Sequence, residues 1–133
     1  MNKFIAFFAF GSFAILAIMA FTRADKQTNT RVTAGADLAI EIPEEVDAVL
    51  QNYCFGCHNT ESRNEKGRDK LSIDMLGDLP TGKLAAKLNK MVEELEEEEM
   101  PPKQFLEKFP DKNPSKEDRK KVIKWAKSTA KKL

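Results

Sequence analysis

The soft-ligand chemistry of this 133-residue chain is confined to five consecutive positions, Cys54-Phe55-Gly56-Cys57-His58, which hold both of its cysteines and its one histidine. Thiols and an imidazole can form a disulfide, bind a metal, exchange electrons as a dithiol, or bond to a macrocycle and its iron. A disulfide is the ordinary use of two cysteines in an oxidising compartment. Structural zinc needs four ligands, and the fourth would have to be a carboxylate. A redox dithiol sits at the start of a helix that follows a strand, whereas the residues before Cys54 have helical periodicity. Cys-x-x-Cys-His fits covalent haem best. The two thiols become thioethers and the imidazole an axial iron ligand, so all three residues are used.

An iron held by one histidine needs a sixth ligand if it is to pass electrons without trapping small molecules. With His58 used, methionine is the natural donor. Met1 and Met19 lie in the apolar N-terminus, Met91 falls on an apolar helical stripe, and Met75 lies between apolar residues near a turn, so core packing is the simpler role for Met75 and Met91. Met100 precedes Pro101-Pro102, which cannot continue a helix and bias the residue before them to extended backbone. It is the best candidate, with a helix-capping core residue as the plain alternative.

These residues need elements to hold them. In "IPEEVDAVLQNY", Pro43 stands at a first helical position, Glu44 and Glu45 suit the first turn, and Val46, Val49, Leu50 and Tyr53 recur at helical spacing. The spacing predicts an amphipathic helix closed by the motif, with Cys54 and Cys57 on one face of its last turn. Leu84, Leu88, Met91 and Leu95 mark a second helix. A third is expected from about 114 to the C-terminus, capped by Asn113 or Ser115, with Val122, Ile123, Ala126 and Ala130 apolar and Trp125 assigned to burial.

The run from Phe4 to Phe21 is uncharged and almost wholly apolar, between Lys3 and Arg23. It is long for a signal-peptide core and short for a membrane span, so both cleavage after Ala24 and retention as an anchor are open. Either way the remainder is delivered across a membrane. Residues 25–39 are polar and aperiodic and are expected to be a tether. Beyond residue 24 the chain carries 20 basic and 21 acidic groups. That balance argues against nucleic acid as a partner. The acidic run Glu93, Glu94, Glu96, Glu97, Glu98 and Glu99 is first a solvated helix face, and beside Met100 it also suits docking of a basic redox partner.

With "CFGCH" and "MPP" in place, the chain resembles a small mono-haem c-type cytochrome, and more narrowly the bacterial haem-binding domain family. "KLSID" and "EDRKKVIKWAK" add weaker matches, so the likeness runs over roughly residues 42–130. It departs at "NTESRNEKGRD", which is polar where the family carries aromatic residues. The resemblance implies an all-α, cytochrome c-like small helical domain over 40–133 around one covalent haem c, preceded by an export or anchor helix within 1–24. Cys54, Cys57, His58 and Met100 would bind the cofactor, with His58 and Met100 on the iron. The last helix would cross the one leading into the motif, bringing Val122 and Trp125 or Ala126 against Val46 and Val49 or Leu50.

The function implied is one-electron transfer in the periplasm, with anchoring to the inner membrane by residues 4–21 if the leader is kept. The alternative is a haem-based sensor or small-gas-binding protein with an open sixth site. An enzymatic role such as a peroxidase is not expected, since no second histidine or evident acid-base residue accompanies the motif.

Overall fold

The computed structural model describes residues 31–33 and 40–133. The export or anchor segment expected within 1–24 lies outside them, as does most of the tether expected at 25–39. Among the described residues no helix is long and apolar enough to cross a membrane.

The structure is mostly helical. Five α-helices follow one another as α1 (Glu44–Tyr53), α2 (Glu65–Lys70), α3 (Thr81–Glu96), α4 (Lys103–Leu106) and α5 (Lys116–Ala130), with 3-10 turns at Ile73–Asp78 and Pro110–Lys112. A two-stranded ribbon precedes them. In it β1 (Arg31–Thr33) pairs antiparallel with β2 (Ile40–Ile42), Val32 opposite Glu41. The ribbon was not expected from the sequence, because three-residue strands are too short to show a period of two. Ile40 and Ile42 face the core and Glu41 faces out.

The frame is α5 packed on α3 and α1. Its pattern follows the apolar spacing: Val46, Val49 and Leu50 of α1, Leu84, Leu88, Met91, Val92 and Leu95 of α3, and Val122, Trp125 and Ala126 of α5 are buried in one core. Each fully buried leucine contributes roughly 2 kcal/mol of transfer free energy. Trp125 both packs and bonds, its Nε1–H donating to the Glu41 carbonyl at 2.9 Å and so tying α5 to the ribbon. Ser115 is the cap of α5, its Oγ accepting from the Asp118 amide at 3.1 Å. Asn113 serves elsewhere.

Three expectations shift. First, α1 ends at Tyr53 with Cys54 as its cap, so the motif lies in the turn beyond the helix. Second, Met75 is 42% exposed, because the 3-10 turn sends Ile73 and Leu76 inward instead. Third, α3 ends at Glu96, well before Met100. Glu98 there takes the left-handed conformation, φ 55°. The Glu99 amide donates to the Glu94 carbonyl at 3.0 Å, closing the helix in a Schellman-type turn that directs the chain away from the helix axis.

Candidate haem-binding site

The turn after α1 holds the motif compactly. The amides of Cys57 and His58 both donate to the Cys54 carbonyl, at 3.1 and 3.0 Å, and the two thiols are free and partly buried. Among the described residues no three His, Cys, Asp or Glu groups converge as a metal-binding cluster. Cys54, Cys57 and His58 therefore do not meet at one point as zinc ligands would. Instead they line one stretch of chain beside Tyr53 and Phe55, which pack partly buried against the core.

His58 is oriented by its own backbone surroundings. Its Nδ1 lies 2.9 Å from the Gly67 carbonyl oxygen and 3.2 Å from that of Leu71. Carbonyl oxygens only accept, so Nδ1 carries a proton, and in the neutral imidazole that tautomer leaves the lone pair on Nε2. Nε2 has no protein partner among the described residues. A metal-ligating histidine commonly donates its other N–H to a carbonyl in this way. The residues present therefore fit an axial role for His58.

The polar stretch "NTESRNEKGRD" supplies that support. Asn64 caps α2, its Oδ1 accepting from the Gly67 amide at 3.0 Å. Buried Ser62 donates its hydroxyl to the Gly56 carbonyl at 3.0 Å and accepts from the Asn64 amide at 3.1 Å, while Arg68 Nη1 donates to the Ser62 carbonyl at 3.0 Å. The Ile73 amide then returns to the His58 carbonyl at 3.0 Å. Gly67 makes the approach possible: a Cβ there would stand 2.5 Å from the Cys57 carbonyl oxygen. Where the resembled family covers its histidine with aromatics, this chain holds it with a hydrogen-bonded loop.

Met100 is half-buried, Met91 is in the core and Met75 is on the surface. Met100 begins a strap that runs through α4 and returns to α5. Buried Arg119 anchors it, with Nη1 donating to the Met100 carbonyl at 2.6 Å and Nη2 to Asn113 Oδ1 at 2.5 Å. Lys112 Nζ reaches the Asn52 carbonyl at 3.4 Å, placing the end of the strap beside the end of α1. The same guanidinium acts on the Cys54 thiol. Burial pushes that thiol up to about 11, and the Arg119 charge partly opposes the rise. Thus Arg119 is bonded to the Met100 strap and its charge reaches the cysteine turn.

Sequence reasoning missed Gly67, Ser62, Asn64 and Arg119. The Asn64-Glu65 pair before a glycine is a helix-start signal that could have located α2. Arg119 is the one arginine among the lysines of α5 and stands three residues before Val122, at the spacing of the apolar stripe, a signal that could have singled it out.

The haem-binding domain family matches residues 62–128. The chain belongs to that family. It is a haem-binding protein, and the matched half includes the loop that supports His58, the Met100 strap and Arg119, while the Cys-x-x-Cys-His turn lies just ahead of it. No curated protein and no solved structure matches the chain.

Proposed function

We propose that this haem-binding domain protein carries single electrons through one covalently attached haem c in a cytochrome c-like pocket, exported to the periplasm. The orientation of His58, with Nδ1–H tied to two carbonyls and Nε2 without a protein partner among the described residues, is the observation that carries the reading. When bound, haem supplies the one-electron ferric/ferrous couple. Cys54 and Cys57 would hold the group by two thioethers from a turn fixed against α1. His58 would ligate the iron through Nε2, and the two carbonyls on Nδ1 would raise its donor strength. Met100 would supply a thioether ligand from a strap that Arg119 and Lys112 fasten to the rest of the fold. Tyr53, Phe55 and Leu71 pack against the core beside the motif and limit water there.

The docking site for a basic redox partner is proposed at the acidic run. Lys90 pairs with Glu93 and Glu94, and Lys127 with Glu96. Among the described residues, the unpaired charge of the run is therefore that of Glu97, Glu98 and Glu99, the residues that lead into Met100.

Mass and absorption of the full chain from an exporting host with haem-attachment machinery test the reading. The expected result is one covalent haem, a six-coordinate low-spin spectrum and a sulfur-to-iron charge-transfer band that Met100→Ala removes. A colourless product of bare polypeptide mass overturns covalent attachment. A high-spin iron that takes up carbon monoxide freely in the unmutated protein establishes the gas-binding alternative.

A further inference from the structure

The strap that presents Met100 has an unusual fastening. Its first residue, Met100, and its last, Asn113, are both hydrogen-bonded by one side chain, Arg119, which is 8% exposed. Burying a guanidinium is costly unless its donors are matched. No carboxylate of a described residue pairs with it, as the ion pairs in this region belong to Lys121 and Lys127. Both of its bonds go instead to the strap. Arg119 itself is fixed in the first half of α5, between the capped start at Ser115 and the buried Val122.

We infer that Arg119 is the positioning residue of the sixth ligand: it clamps the two ends of the Met100–Asn113 strap and so holds the thioether at the iron. This rests on the reading of Met100 as the iron ligand. A planar fork is required for the task, because the two acceptors take separate nitrogens of one rigid group. A lysine would keep the charge but has one nitrogen, and it cannot place two donors at the fixed separation of a fork. The bond to Met100 goes through the backbone carbonyl, so loosening it lets the whole residue move without changing the ligand atom.

The experiment uses the haem-loaded full chain with Arg119→Lys, Arg119→Gln and Asn113→Ala. It measures imidazole displacement of the methionine ligand, the charge-transfer band and amide exchange across residues 97–100. Arg119→Lys and Arg119→Gln are expected to raise the affinity for imidazole about tenfold, weaken the band and accelerate exchange at Glu99 and Met100. Asn113→Ala frees only one end of the strap while leaving the charge and the α5 cap intact, and is expected to give a smaller increase of the same kind. It also provides the answer should both arginine variants fail to fold.

Wild-type values in Arg119→Lys, or in Asn113→Ala if that is the only variant to fold, overturn the inference while leaving Met100 as the ligand. Wild-type protein with no sulfur band, and a spectrum unchanged by Met100→Ala, overturns the ligand reading and this inference with it.

Discussion

At the scale of single residues, the site depends on close approach. Gly67 is helical and needs no unusual backbone angle; what it lacks is a Cβ, which would meet the Cys57 carbonyl oxygen at 2.5 Å. Since that contact is with backbone, Gly67→Ala must push α2 away from the motif and pull the Gly67 carbonyl from His58. Overpacking of this kind costs about 1–3 kcal/mol. Denaturant unfolding of the haem-loaded protein should show that loss, and a midpoint equal to wild type would contradict the contact. Cys54 gives a pH prediction for the haem-free chain. Its thiol rises from 9.0 to about 11, chiefly by burial. Folding therefore favours the protonated form. The contribution is complete below the unfolded pKa of about 9 and is lost as pH climbs through about 11. Stability of the haem-free protein is expected to fall across that window, and Cys54→Ser, which cannot ionise there, should make the fall shallower. Parallel pH profiles for the two proteins would show that Cys54 is not the group responsible.

At the scale of elements, the acidic end of α3 is built against local preference. Glu98 occupies a left-handed position at which glycine carries no Cβ penalty, and the carboxylates of Glu96 to Glu99 stand at the negative end of the helix dipole. Glu98→Gly should therefore stabilise the fold by about 1 kcal/mol while leaving the Glu99-to-Glu94 bond in place. An unchanged or lowered thermal midpoint would argue that glycine's extra unfolded-state freedom outweighs the relief. The three longer helices were legible because each carries an apolar stripe at helical spacing: Val46, Val49 and Leu50; Leu84, Leu88, Met91 and Leu95; Val122 and Ala126. Their meeting in one core follows from burial of those stripes. What stayed illegible has no periodicity. α2 is six residues long and mostly charged, and its function is carried by carbonyl oxygens at Gly67 and Leu71 that no side-chain pattern encodes. The end of α3 was misplaced for a related reason. A run of glutamates favours helix, and the turn at Glu98 is set by where the chain must go next. Arg119 is the one arginine of α5 and lies on its buried stripe, but its two acceptors, the Met100 carbonyl and Asn113, come from a strap with no periodicity.

At the scale of the whole molecule, exposed charge is unevenly distributed along the chain despite near neutrality. α5 and the residues just after it present exposed Lys120, Lys124, Lys131 and Lys132, while Glu97, Glu98 and Glu99 form an exposed acidic turn next to Met100. Three further acids of the run are held by Lys90 and Lys127, which leaves the turn as the part of the run with its field open to solvent. If electrons leave near Met100, this local field governs encounter more than the net charge does, because screening at physiological salt confines each charge to a range of about 8 Å. Reduction by a cationic complex such as hexaammineruthenium should then slow roughly tenfold as salt is raised from low to high ionic strength, whereas reaction with anionic hexacyanoferrate should speed up. Replacing Glu97, Glu98 and Glu99 together by glutamine should flatten both dependences without altering the absorption spectrum, since none of the three side chains is bonded to His58 or Met100. Salt dependences that survive this replacement would place the electron-transfer edge away from the turn, and the same measurement with the α5 lysines neutralised would show whether it lies on the basic side.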